Sequence, residues 1–250
     1  MHLFILTGAT RGLGYRLALA LLSPQHSLLT IARGRHDALA EAAAKVGAPL
    51  EQWREDLSQP EHAAARLEAW LASLSPSDYS AATLINNAGV LGDIGALAHV
   101  SCASISAVLR VNLEAPMLLT SAFLRATQAW SAQRKILNIS SGAGRHPIAG
   151  WTAYCASKAG LDHFSRTAAL EEAGKPNGAK IVSLAPGVID TAMQAQLRGA
   201  SAEHFPEQAR FIQLHERGEL LSPQTAADHV LAYLARTDFG TEPIADVRHL

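Results

Sequence analysis

Short, wholly apolar runs that alternate with longer Ala- and Leu-rich stretches predict an α/β fold. The expected form is a doubly wound parallel sheet with helices on both faces, in one domain spanning residues 1–250. Three observations carry this. The apolar runs lack polar alternation, as strands of a sheet covered on both faces do. Strand and helix alternate, which implies right-handed βαβ crossovers. The chain has 250 residues, 48% hydrophobic and 17% charged. That length suits one such domain, and a charged share below the usual ~25% excludes disorder.

Each element follows in order. Residues 3–6 are a strand stopped by Thr7-Gly8, and 13–22 a helix closed by Ser23-Pro24. Residues 27–32 are the second strand, and 38–46 a helix with the stop signals Gly47 and Pro49 beyond it. A third strand covers 50–53. Helical spacing over 61–74 puts Leu67, Trp70, Leu71 and Leu74 on one face. The fourth strand opens at Thr83-Leu84-Ile85, and two helices follow near 104–112 and 116–130. Residues 135–139 are strand five, 152–172 a long helix, 180–184 strand six, 226–235 the last helix and 244–247 the last strand. The least regular stretch, 188–222, carries Gly199, Pro206 and Gly218. Long irregular segments in α/β domains often act as lids; a surface excursion with two short helices fits these residues equally.

Several functions are not expected. Twenty-one Lys and Arg against 22 Asp and Glu give a net charge of −1, with no basic footprint for nucleic acid. Cys102 and Cys155 are too few for a disulfide framework and fit a reducing cytoplasm. No segment approaches the roughly 20 apolar residues of a membrane span, and the opening run meets Gly8 too soon for a signal peptide. Eleven histidines include no HExxH and no zinc-ligand spacing, so no metal is expected.

Thr7-Gly8-Ala9-Thr10-Arg11-Gly12-Leu13-Gly14 lies between the first strand and helix, where a dinucleotide binds. Gly8 permits the turn. Gly12 and Gly14 let the backbone approach a pyrophosphate and the helix approach the sheet, and the helix N-terminus offers free N–H groups. An NAD site has an acid about 20 residues on. Here the second strand ends in Ala32-Arg33, with no acid until Asp37. Arg33 and Arg11 suit a 2′-phosphate instead, which points to NADP(H).

Tyr154 and Lys158 stand at i and i+4 on the long helix, one turn apart on one face. Ser140-Ser141 ends strand five just before that helix. A hydroxyl, a phenol and an ammonium thus meet near the carboxyl edge of the sheet. Hydride addition to a carbonyl leaves an alkoxide that needs a proton. A phenol of pKa about 10 can give one, a nearby ammonium lowers that value, and a serine hydroxyl can bond the oxygen as charge develops. Lys158 is also suited to hold the nicotinamide ribose.

With these motifs the sequence resembles the short-chain dehydrogenase/reductase family. TGATRGLG at 7–14, NNAG at 86–89, VNL around Asn112, ISS ending at Ser141, YCASK at 154–158 and PGVIDT at 186–191 occur in order. The resemblance implies a seven-stranded parallel Rossmann sheet in homodimers or homotetramers. Ser141, thirteen residues before Tyr154, becomes the catalytic serine, Tyr154 the acid/base, Lys158 its partner, and Asn112 the holder of a relay water. Asp56 and Leu57 would contact the adenine. Asn87, Ala88 and Gly89 would line the ribose side, and Pro186, Gly187, Ile189 and Thr191 would grip the carboxamide. The stretches 138–143, 150–162 and 186–194 look like the bacterial benzil reductase subgroup, and more distantly like sepiapterin reductases. That subgroup reduces one carbonyl of a vicinal diketone with NADPH.

Residues His146, Ile148 and Trp151, between Ser141 and Tyr154, are candidate walls of a substrate pocket, as are Val90, Leu91, Met193 and Phe205. Trp151 would suit an aryl ketone. Cys155 points about 100° away from Tyr154 and reads as a small buried residue. The function expected is an NADPH-dependent reductase of a ketone or vicinal diketone. A dehydrogenase of another alcohol, sugar or acyl substrate, and a nucleotide-sensing protein without chemistry, are the other readings.

Overall fold

The computed structural model describes residues 1–249. Seven strands form one parallel sheet in the order β3-β2-β1-β4-β5-β6-β7: β1 His2–Thr7, β2 His26–Ala32, β3 Leu50–Arg54, β4 Ala81–Asn86, β5 Gln133–Ile139, β6 Lys180–Ala185 and β7 Ile244–Asp246. The chain builds outward from β1 to β3, then returns to place β4 on the other side of β1. This reversal opens a crevice at the carboxyl ends of β1 and β4, where ligands of open α/β sheets bind. Register aligns those ends: Thr7 pairs with Ile31, Leu6 with Ile85, and Asn86 with Asn138.

Helices cover both faces: α1 Gly12–Leu21, α2 Asp37–Val46, α3 Pro60–Ser73, α4 Cys102–Leu109, α5 Ala115–Ala126, α6 Thr152–Ala173, α7 Ala192–Arg198, α8 Gln208–Glu216 and α9 Pro223–Leu234. Successive strand residues point to opposite faces, and here both directions lead into a core. On one side Leu3, Ile5, Leu29, Ile31, Leu84 and Ile136 meet Leu67 and Leu71 of α3 and Leu119 and Phe123 of α5. On the other, Phe4, Leu6, Leu28, Leu137 and Val182 meet Leu13 and Leu17 of α1, Leu39 of α2 and Val230 of α9. Full burial of each such side chain is worth about 1.5–3 kcal/mol, so these strands admit no polar alternation.

Three expectations are corrected. The two helices after β4 are one continuous stretch, Cys102–Ala126, joined by a π turn at Arg110–Glu114. Pro116 supplies a reason: in a regular α-helix its ring would strike the carbonyl four residues back, at Asn112. Widening the turn relieves that clash. Joined in this way, the stretch is long and apolar enough to cross a membrane by length and composition, contrary to the sequence reading. Its inner side chains Ala115, Leu119, Ala122 and Phe123 are buried in the sheet's own core. Finally, α9 starts three residues early, because Ser222 accepts from the Thr225 N–H and Pro223 opens the first turn.

The irregular stretch contains the two short helices α7 and α8. It is pinched shut at its base, where Ile189 bridges to Leu221, the Leu221 N–H donates to the Val188 carbonyl at 2.9 Å, and the Asp190 N–H to that of Leu221 at 2.9 Å.

Candidate active site

The loop from Thr7 to Gly14 is fixed to the end of β4. The Thr7 hydroxyl accepts from the N–H groups of Asn87 and Ala88, at 2.9 and 3.0 Å. The Asn87 amide donates to the carbonyls of Thr7 and Gly8, at 3.0 and 3.2 Å. Gly14 is compulsory, since any Cβ there would overlap the Gly8 carbonyl and the Asn87 amide. Gly12 has φ +55°, in the left-handed region, and faces Thr191. Asn87 was expected to line a ribose; its side chain is instead occupied in shaping the loop.

This loop fits an anion. The first turn of α1 has neither a capping side chain nor an acid, so its N–H groups face outward unclaimed by side chains. Arg11 and Arg33 are exposed. Among the described residues, neither belongs to the arginines that form ion pairs. Arg33 acts on Asp56 across the ends of β2 and β3. The Asp56 carboxyl is held below its ordinary value first by the Ser58 N–H and also by the Arg33 charge. Leu57 is buried beneath them. Pro186 is buried after β6, and Gly187 takes φ +84° against Leu221.

The expected hydroxyl, phenol and ammonium converge where β5 ends and α6 begins. Tyr154 and Lys158 are both buried, with the Lys158 ammonium 5.8 Å from the Tyr154 ring centroid. Lys158 Nζ donates to the Ile139 carbonyl at 2.8 Å. The Ser141 hydroxyl caps the following turn, accepting from the Ala143 N–H at 3.2 Å. Burial pushes the Tyr154 phenol up to about 12, with the Ser141 hydrogen bond opposing. Burial pulls Lys158 down to about 8, with the Asp162 charge opposing. Against the expectation of a phenol made more acidic by the ammonium, Tyr154 is shifted upward, because burial outweighs the Ser141 hydrogen bond.

Asn112 owes its place to the π turn. Wholly buried, it accepts from the Val90 N–H at 2.8 Å and donates to the Val90 carbonyl at 2.9 Å and to Ser157 Oγ at 3.2 Å. Gly89 lies against both Asn112 and Lys158.

Above Tyr154 sits a third apolar cluster of Leu91, Ala143, Trp151, Tyr154, Leu197, Phe205 and Phe211, with Ile148, Met193 and Cys155 packed on it. Trp151 stacks on Phe205 at 5.2 Å and meets the Tyr154 ring edge-on at 5.4 Å. Its indole N–H is buried and has no partner. Leu197 and Phe211, on α7 and α8, escaped sequence reading because no motif marks them. His146 was a candidate wall, but it is exposed and outside the cluster. Val90 is likewise outside it, tied through its backbone to Asn112. Among the described residues, no three His, Cys, Asp or Glu side chains are grouped to hold a metal ion.

Comparison with known proteins agrees with this geometry. Residues 2–202 match the family model described as short chain dehydrogenase. Benzil reductase ((S)-benzoin forming) of Bacillus cereus is 36% identical over 239 residues, covering 96% of each chain. The sepiapterin reductase of Rattus norvegicus is 33% identical, covering 94% of this chain and 92% of its own. Among solved structures, a short-chain dehydrogenase/reductase from Burkholderia vietnamiensis is 35% identical with a TM-score of 0.63, covering 100% of this chain and 98% of its own. With the seven-stranded parallel sheet, the glycine loop and the grouped Ser141, Tyr154 and Lys158, these matches make the chain a member of the short-chain dehydrogenase family.

Proposed function

We propose that this protein is an NADPH-dependent carbonyl reductase that reduces one carbonyl of a ketone or vicinal diketone, with Tyr154 as proton donor. One observation carries the reading: the buried Tyr154 phenol packs against the stacked rings of Trp151 and Phe205, with Lys158 one helical turn away. The name of the Bacillus cereus relative supports the substrate class.

Gly8, Thr10, Gly12, Leu13 and Gly14 would hold the pyrophosphate, Arg33 with Arg11 the 2′-phosphate, and Asp56 and Leu57 the adenine. Ala88, Gly89, Tyr154 and Lys158 would hold the nicotinamide ribose, and Pro186, Gly187, Ile189 and Thr191 the carboxamide. When bound, a reduced nicotinamide nucleotide supplies hydride to the carbonyl carbon. Ser141 donates a hydrogen bond to the carbonyl oxygen, Tyr154 delivers its proton there, and the Lys158 ammonium stabilises the phenolate left behind. Asn112 orients the water that returns a proton through Lys158. Residues 188–222 act as the lid of a single domain, excluding water. Cys102 and Cys155, both free, fit a cytoplasmic setting.

The first test follows absorbance at 340 nm with NADPH and a panel of aromatic diketones, ketones, aldehydes and quinones. No oxidation with any of them would favour the nucleotide-sensing reading, and turnover only of alcohols or sugars the dehydrogenase reading. Arg11→Gln with Arg33→Gln is expected to weaken NADPH binding by at least about 100-fold, because each charge-assisted bond to phosphate is worth roughly 1.5–3 kcal/mol. NADH binding should change little. Equal losses for both nucleotides, read by fluorescence titration, would remove the charge argument.

Trp151 bounds the substrate, and its unpartnered N–H suits the second oxygen of a vicinal diketone. Trp151→Phe keeps a ring and loses one hydrogen bond. The expected result is a fall of about tenfold in kcat/KM for an aryl diketone, with an aryl monoketone unaffected. Equal effects on both would reject the assignment. We also propose a homodimer or homotetramer, in which partner copies cover the exposed Leu109, Met117 and Leu170 on α4, α5 and α6. Light scattering reads this directly, and a mass of 26.5 kDa would exclude it.

A further inference from the structure

Asp162 is a buried carboxylate that the mechanism above does not use. It lies on α6 one turn beyond Lys158. Its Oδ1 accepts two short hydrogen bonds at 2.6 Å, from Ser140 Oγ at the end of β5 and from Ser183 Oγ on β6. Its Oδ2 accepts from Arg145 Nε at 3.2 Å. The same guanidinium reaches β7, donating to the Ala245 carbonyl at 2.8 Å and pairing with Asp246 at 3.4 Å. Asp246 is itself paired with Arg248.

Two features of this arrangement go beyond packing. Ser140 and Arg145 bracket the short turn Gly142–Gly144 and its cap, Ser141. Asp162 therefore grips the segment that carries the Ser141 hydroxyl from both sides. Asp162 is also the only acid facing Lys158 among the described groups. The other groups around that ammonium are Tyr154 on the same helix, the Ile139 carbonyl of β5, and Asn112 beyond Gly89. A buried carboxylate needs hydrogen-bond donors, and here they come from the end of β5, from within β6 and from the turn after Ser141. Replacing it with an apolar residue would strand two hydroxyls and leave Arg145 only its partners on β7.

We propose that Asp162 is a positioning residue for the reaction: through Ser140 and Arg145 it sets the Ser141 hydroxyl, and from one helical turn away it places a buried negative charge beside the Lys158 ammonium. This rests on the carbonyl-reductase reading, and the two fail differently. A wild-type protein that oxidises NADPH with no carbonyl ends that reading, whereas an active wild type leaves Asp162 to be judged by its variants.

Asp162→Asn retains an oxygen that can accept from both serines but loses the charge. The alkaline limb of its kcat/KM profile is expected to move down by about one pH unit, as loss of a near opposite charge lowers an ammonium's pKa. NADPH affinity should stay within about threefold, since a 1 kcal/mol change is roughly fivefold. Ser140→Ala with Ser183→Ala keeps the charge and removes both hydroxyls. That variant should lose about tenfold in kcat, as a displaced hydrogen-bond donor costs at least that, with its alkaline limb unmoved. Circular dichroism and NADPH titration establish that each variant is folded. If Asp162→Asn does not fold, the serine pair still decides the positioning half, and Arg145→Lys the charge half, its limb moving up as the competing cation weakens its hold. A wild-type pH profile in Asp162→Asn together with wild-type kcat in the serine pair would overturn the proposal.

Discussion

Replacement of Tyr154 by Phe is expected to lower kcat about 1,000-fold or more, the upper range of what one general acid contributes. NADPH binding should survive, because the hydroxyl is one contact among many along the glycine loop and the strand ends. The ring itself should stay in place. It packs edge-on against Trp151 and within a cluster that includes Leu91, Phe205 and Phe211, and none of those contacts needs the oxygen. The phenol is pushed up to about 12, mainly by burial. The phenol itself should therefore stay protonated below pH 10, and an alkaline limb in wild-type reduction would belong to Lys158. Steady-state assays beside fluorescence titration separate the two quantities. A variant retaining a tenth of wild-type turnover would remove Tyr154 from the chemistry.

Lys158→Met should abolish reduction and yet raise stability near neutral pH. Burial pulls this lysine from 10.5 to about 8. Between those values the unfolded chain binds more protons than the folded one, so stability rises with pH through the window. Below pH 8 the full cost of the buried charge stands. Each pKa unit is about 1.4 kcal/mol, which makes the cost about 3 kcal/mol. Methionine removes it and leaves the Ile139 carbonyl short of a donor, at about 1–2 kcal/mol. The net expectation is about 1–2 kcal/mol of added stability, or a rise of a few degrees in Tm for a chain of this size. The advantage should shrink as pH climbs from 8 towards 10.5. A variant less stable than wild type at pH 7 would show that the ammonium's contacts outweigh its desolvation.

The parts of this molecule that sequence made legible are those with one local cause. Strands such as Leu3, Ile5 and Leu29 betray themselves because both faces are buried. Tyr154 and Lys158 share a face because four residues make about one helical turn, and the turn-forming glycines between β1 and α1 are visible as spacing. What stayed hidden is distributed. The partners of Asp162 come from β5, β6 and the turn after Ser141, and no window of sequence holds them together. The sign of the shift at Tyr154 comes from burial in a cluster to which Leu197 of α7 and Phe211 of α8 contribute, from a stretch marked by Gly199, Pro206 and Gly218. His146 is near Tyr154 in sequence but lies exposed, outside the cluster that holds the phenol. The turn at Gly142–Gly144 leads it outward. The joined helix Cys102–Ala126 was missed because Pro116 reads as a break, when a single wider turn absorbs it.

That wider turn has a lasting consequence for how the protein can change. One additional residue shifts the phase of everything after it by about 100°, so the outer and inner halves of this rod answer to different neighbours. Deleting a residue between Arg110 and Glu114 would restore a uniform spiral and force a choice: keep Asn112 beside Gly89, or keep Phe123 in the interior. Descendants of this gene can therefore vary the exposed positions of this helix in composition, but not the number of residues in its wide turn.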